Sequence, residues 1–309
     1  MNFYIYDTRY QGRAPVYRVL PYKLALGLDS DYHKYRNSKS PELTNIGNSN
    51  KAWNVDADGI RWLYKRQPLK ECFHEVLASK IAEILGVDTV EYELVSYSED
   101  PEEGRWGIVR SGDFTQGRGV NLEPANFVLE HYGIEPNEIV HNTKLFSLYG
   151  CEKEFLNLQY LDIITGNADR HQFNYGLLKN QADGAIIGLA PNFDNNFAFL
   201  SDLPTDEFAW VAGQYGWSRP YLTEKKKAKI LEEIKEIDAF RSYDIEGLLR
   251  SVEDKQDYLY ERLTDLRNLE AFENFSRSDF DPQKTVFVKG HSFRDGYRHS
   301  HWRRPTRSS

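Results

Sequence analysis

Three oxygen-bearing side chains and one cation stand out in this chain by type and spacing. Asp169 and Asn174 lie five positions apart in Asp169-Arg170-His171-Gln172-Phe173-Asn174, and Asp194 follows in Pro191-Asn192-Phe193-Asp194. Lys65 closes a segment rich in β-branched and aromatic residues, and Glu71 and Glu75 come shortly after it. Carboxylate and carboxamide oxygens are the hard ligands that magnesium prefers. An ammonium group grips phosphate oxygens, and an aspartate can orient and deprotonate an attacking hydroxyl. These are the residue types that phosphoryl transfer from a nucleotide asks for. In that chemistry Asp169 is the base, Asn174 and Asp194 hold the metal, and Lys65 contacts phosphate, set by Glu75 or Glu71. His171 joins the catalytic group as an orienter of the loop backbone, through its two distinct ring nitrogens. Arg170 is expected to pair with a carboxylate or with a phosphorylated activation site.

Such residues need elements to hold them. Lys51 to Lys65 reads as a hairpin that turns at Asp58-Gly59, with the second strand ending at Lys65. Residues 71–85 carry Phe73, Val76, Leu77, Ile81, Ile84 and Leu85 at helical spacing, and Gly86 suits a left-handed C-cap. TVEYELVSY and RWGIVRS read as strands about an acidic turn. A helix over 152–165 then leads into GNADRHQFN, which is too polar for a core element. The hairpin NYGLLK–QADG–AIIGLAP delivers Asp194, and two further helices are expected at 223–240 and 255–272. Residues 109–113 fall where a hinge would meet a nucleobase through backbone groups.

The separation of Asp169 and Asn174 is that of the protein-kinase catalytic loop H-R-D-L-x-x-x-N, although the order here is Asp-Arg-His. Asp194 stands where conventional kinases carry D-F-G, with Asn195 in place of the glycine. The longer strings IITGNADRHQFNYGLL and LAPNFDNN resemble the HipA-like kinases, including the CtkA-type branch, whose catalytic loop is similar to that of phosphatidylinositol kinases. Their pattern N-x-D-R-H-x-x-N-x-G is matched by Asn167, Asp169, Arg170, His171, Asn174 and Gly176. Their A-P-x-[YF]-D is matched by Ala190, Pro191, Phe193 and Asp194. NIGNSNKAWNVDADGIRWLYK is similar to the family's phosphate-loop hairpin, with Gly47, Lys51 and Lys65 in place, and HEVLASKIAEILGV to its Glu-bearing helix, which selects Glu75 over Glu71.

The resemblance implies an α+β, bilobal protein-kinase-like fold. A small β-rich N-lobe with one helix would occupy residues 1–112, a larger and mostly helical C-lobe 113–280, and a basic tail 281–309. It implies a serine/threonine protein kinase that uses ATP and Mg²⁺ on a protein substrate, with autophosphorylation at Thr44 or Ser49 ahead of the phosphate loop. Many members are toxins, so an antitoxin-like partner is also implied. The residues by themselves leave open a lipid or small-molecule kinase, transfer of AMP in place of phosphate, and a non-catalytic kinase-fold binding partner.

Composition narrows the classes. A formal charge of −8 and a pI near 5.6 argue against nucleic acid as the general partner, which admits it only indirectly. The stretch after Asp281 is locally basic, with seven Lys and Arg against Asp295. Two cysteines make neither a disulfide framework nor a zinc site and fit a reducing compartment. No run approaches the ~20 apolar residues of a spanning helix, so no membrane is expected and a cytoplasmic location is, with signal-independent secretion left open. No G-x-x-x-x-G-K-[ST] loop and no well-placed G-x-G-x-x-G occurs, which sets aside Walker and Rossmann sites.

Overall fold

In the computed structural model the described residues are 2–4, 19–21, 50–100, 104–134, 139–203, 205–217 and 220–266, with four three-residue strands between 286 and 303. Gly47, Thr44 and Ser49 lie outside the described residues. The first sheet joins β1 (Asn2–Tyr4), β2 (Val19–Pro21), β3 (Asn50–Val55), β4 (Arg61–Pro68), β5 (Tyr92–Asp100) and β6 (Gly104–Gly112) in the order β2-β1-β3-β4-β6-β5. The β3–β4 hairpin sets Lys51 opposite Lys65. Its turn is built by Asp56, whose Oδ1 accepts from the backbone N–H of Asp58 and Ile60. Asp56 Oδ2 accepts from Trp62 Nε1, and Gly59 supplies φ +80°. Lys65, expected at the strand's end, lies inside β4, because the strand continues through Gln67 and Pro68 to the helix.

That helix, α1 (Leu69–Leu85), begins two residues before the expected span 71–85 and is capped by Gly86, φ +76°. The sequence suggests a single apolar stripe. In the fold α1 is buried on nearly every side, including His74, Glu75 and Ser79. The reason is tertiary: α1 lies between the sheet and the helices that follow later in the chain. Gly107 of β6 permits the close approach, since a Cβ there would meet Cys72 Sγ at 2.7 Å.

The remainder is mostly helical: α2 (Ala125–Tyr132), α3 (Ile139–Ser147), α4 (Glu152–Thr165), α5 (Asp206–Gln214), α6 (Glu224–Lys235) and α7 (Ile245–Leu266). Two of these differ from the sequence reading. The helix expected over 223–240 stops at Lys235, and a 3₁₀ turn at Asp238–Phe240 follows. The helix expected over 255–272 starts ten residues earlier, because Ile245, Leu249 and Val252 already bury one face. A second sheet, β7 (Val120–Pro124), β8 (Gly176–Asn180) and β9 (Ile186–Leu189), carries the loops of interest, and its first strand had no clear sequence signal. Near the C-terminus β10 (Val286–Val288) pairs with β13 (His301–Arg303), and β11 (His291–Phe293) with β12 (Gly296–Arg298). The α+β class and the division into a sheet with one helix and a helical part are as expected. One hydrophobic cluster runs from α1 and β6 through α4 to α6 and α7. Among the described residues no helix is long and apolar enough to cross a membrane.

Candidate active site

Lys65 Nζ sits 2.5 Å from Glu75 Oε1 and 2.6 Å from Asp194 Oδ1, with the Tyr92 hydroxyl at 3.5 Å. Strand β4 supplies the lysine, α1 the glutamate, β5 the tyrosine, and the segment after β9 the aspartate. Glu71, the sequence rival of Glu75, instead accepts from Asn196 Nδ2. Lys51 Nζ approaches the other side of Asp194, 3.6 Å from Oδ2. Glu75 is shared as well, since its Oε2 accepts the backbone N–H of Asn195 at 2.8 Å.

The charges shape one another. Burial alone would lower Lys65, but Asp194 and Glu75 reverse this and push its pKa well above the ordinary value. Burial alone would raise Asp194; Lys65 and then Lys51 overcome it and hold the carboxyl far below the usual carboxylate range. For Lys51 burial wins, and its pKa is lowered despite Asp194. Burial raises Glu75 against the pull of Lys65. At neutral pH Asp194 is therefore an ionised carboxylate beside an ammonium ion.

The residue at 194 also has an unusual backbone, φ +61°. Aspartate tolerates this left-handed region better than most residues. Its N–H donates to the Tyr92 hydroxyl at 3.1 Å, which ties the turn to β5.

Asn174 and Asp194 share a cleft. Lys51, Lys65, Asn174 and Asp194 give it a polar wall, and Leu63, Val90, Phe114, Leu122 and Phe193 an apolar one. Phe114 and Phe193 stack at 5.9 Å. Ser111 and Gly112, from the expected hinge, line it too. Asp169 is half-buried, at the start of the loop whose far end, Phe173 and Asn174, walls the cleft. The loop is held by its own residues: Asn174 Nδ2 donates to the Asp169 carbonyl at 3.0 Å, and the Phe173 N–H donates to His171 Nδ1 at 3.2 Å. The ring of His171 thus orients loop backbone.

The side chain of Arg170 is buried and pairs with Asp162 of α4 at 2.9 Å. Sequence reasoning expected a carboxylate or a phosphorylated site for Arg170 and did not identify Asp162. Its signal was present, an aspartate between Leu161 and Ile163 in a helix that is otherwise apolar there. Tyr92 and Phe114 were also missed, and nothing local in the sequence marks them; Asn195 was noted only as the residue in place of a glycine, without its contact to Glu75.

No family model matches the chain, and no curated protein matches it. Among solved structures it is similar to the crystal structure of a Helicobacter pylori proinflammatory kinase CtkA, at 21% identity over 63% of this chain, with a TM-score of 0.40. The match spans 64% of that kinase's length. It is also similar to WaaP in complex with acyl carrier protein, at 11% identity over 80% of this chain and 96% of that one, with a TM-score of 0.34.

Proposed function

We propose that the chain is an ATP-dependent phosphotransferase of kinase-like, bilobal fold that transfers phosphate to serine or threonine of a protein substrate. The observation that carries this reading is Lys65, held between a helix carboxylate and the carboxylate of Asp194 at the wall of a half-apolar cleft. On this reading residues 1–112 cover the nucleotide, 113–280 bear the catalytic loop, and 281–309 form a basic tail.

The donor set suits a magnesium nucleotide. Asp194 offers an ionised carboxylate and Asn174 a carboxamide oxygen on the same wall, and Mg²⁺ is commonly bound by one or two such groups plus phosphate oxygens. When bound, the metal supplies charge neutralisation at the phosphates. The protein's residues do the rest. Lys65 and Lys51 present two ammonium groups to the phosphate chain. Glu75 and Tyr92 keep Lys65 from swinging away. Leu63, Phe114 and Phe193 give an apolar slot for a nucleobase. Asp169 takes the proton of the acceptor hydroxyl, while Asn174 and His171 fix the loop that carries it.

The test is incubation with γ-labelled and, separately, α-labelled ATP. Transfer of the γ label to protein, and its loss by at least ~10³-fold in Asp169→Ala, is expected from the removal of a positioned base. Transfer of the α label would mean that AMP moves instead. Mass spectrometric mapping then asks whether the chain modifies itself at Thr44 or Ser49. Undiminished transfer by Asp169→Ala would remove that residue from the mechanism.

A further inference from the structure

The Arg170 guanidinium touches both strings of residues that supply metal donors. Its Nη1 donates to the backbone carbonyl of Asn174 at 2.9 Å and to that of Phe193, the residue before Asp194, at 2.5 Å. Its Nη2 donates to Asn192 Oδ1 at 2.8 Å and Asn195 Oδ1 at 2.7 Å, the residues on either side of Phe193 and Asp194. The fork is aimed by Asp162, which accepts from Nε at 3.0 Å and from Nη2 at 2.9 Å. Asp162 is itself fixed by Asn167 Nδ2 at 3.1 Å. One rigid, planar cation thus joins the end of the catalytic loop to the turn that presents Asp194, through the main-chain carbonyls of Asn174 and Phe193 and the side-chain oxygens of Asn192 and Asn195.

We infer that Arg170 is a positioning residue that sets the separation between the Asn174 and Asp194 oxygen donors, with Asp162 as its anchor. The inference rests on the phosphotransferase reading for what those donors hold. Two features favour it over simple core packing. The same nitrogen bridges the two donor-bearing segments, so neither can shift without breaking a charge-assisted hydrogen bond. The turn so held has Asp194 at φ +61°, a conformation that needs outside support. A lysine could keep the charge beside Asp162, but a single ammonium has no planar fork to serve both carbonyls.

The experiment is a titration of Mn²⁺, read by electron paramagnetic resonance, against the full chain with β,γ-methylene-ATP. Arg170→Lys is compared with wild type, and nucleotide affinity in EDTA is measured alongside. Arg170→Lys should weaken Mn²⁺ binding by ~10-fold or more, the scale of supporting-residue losses at metal sites, with metal-free nucleotide affinity unchanged. A purely structural role would weaken both affinities together, and that result would overturn the inference. Should Arg170→Lys fail to fold, Asn192→Ala decides, because it removes one accepting arm without stranding a charge. A loss of ~3-fold or more in Mn²⁺ affinity supports the inference, and an unchanged affinity overturns it. Wild type that binds no Mn²⁺–nucleotide would take down the phosphotransferase reading and the inference together. Wild type that binds, with variants indistinguishable from it, removes the inference alone.

Discussion

At the scale of single residues, the site is organised by buried charges whose partners come from distant parts of the chain. Lys65 and Glu75 would each be costly to leave unpaired, since removing one member of a buried ion pair strands the other. The neighbouring His74 shows the opposite solution. Burial, with Lys70 adding to it, lowers its pKa to about 4 although the Asn196 carbonyl faces Nδ1 at 3.1 Å. The folded protein therefore holds His74 neutral at pH values where the unfolded chain would protonate it. The stability this gives is complete above about pH 6.5 and is lost as pH falls toward 4, by at most about 3 kcal/mol. Urea denaturation between pH 7 and 4 should show a smaller acid loss in His74→Gln than in wild type, and equal slopes would rule the histidine out as the source. The loop residues of the proposed site stood out in the sequence because Asp169, His171 and Asn174 lie within one short string. Asp162 and Tyr92 did not, because Asp162 matters only once α4 meets Arg170, and Tyr92 only once β5 meets the turn at Asp194.

At the scale of elements, periodicity located α1, α4 and the β3–β4 and β8–β9 hairpins, each of which has a strong local pattern. It missed α2, α3, α5 and β7, which are short, and it placed the start of α7 late. Two helix ends were clear because glycine marks them: α1 and α4 both stop at a left-handed glycine, whereas α6, with no glycine there, ends five residues before its expected end. The two glycines are not equivalent. A Cβ on Gly86 would meet open space, whereas on Gly166 it would fall 2.1 Å from the Ser201 carbonyl oxygen. Gly166 leads directly to the loop that carries Asp169 and Asn174, and the adjacent Thr165 carbonyl accepts the Phe199 N–H at 2.6 Å. Gly86→Ala should cost only the left-handed strain, on the order of 1 kcal/mol. Gly166→Ala must add displacement of the 199–201 backbone and should cost on the order of 3 kcal/mol in all. Chemical denaturation of the two variants checks this, and equal losses would mean that the Ser201 contact has no consequence.

At the scale of the whole molecule, the first sheet shares one core cluster with the later helices, while α2, α3 and the start of α4 pack a second one with β8. Phe73 of α1 stacks on Tyr243 at 4.4 Å and meets Phe240 edge-on at 5.3 Å, both from the segment between α6 and α7. Arg105 of β6 reaches the same segment, donating to the Ala239 carbonyl at 3.2 Å and to Ser242 Oγ at 3.0 Å. The helix that carries Glu75 is therefore fixed from behind by residues near the end of α6, and the Lys65–Glu75 pair inherits that rigidity. A shared core predicts shared unfolding: calorimetry should give one transition for β3–β6, α1 and the later helices, without a separate melting of the sheet. Phe73→Ala removes the ring at the centre of this contact and should cost about 3–5 kcal/mol, lowering that whole transition. It should also weaken nucleotide binding, although Phe73 does not line the cleft, because α1 would no longer hold Glu75 against Lys65. Two resolved transitions in wild type, or a destabilised Phe73→Ala with unaltered nucleotide affinity, would show that the back of α1 and the cleft are independent.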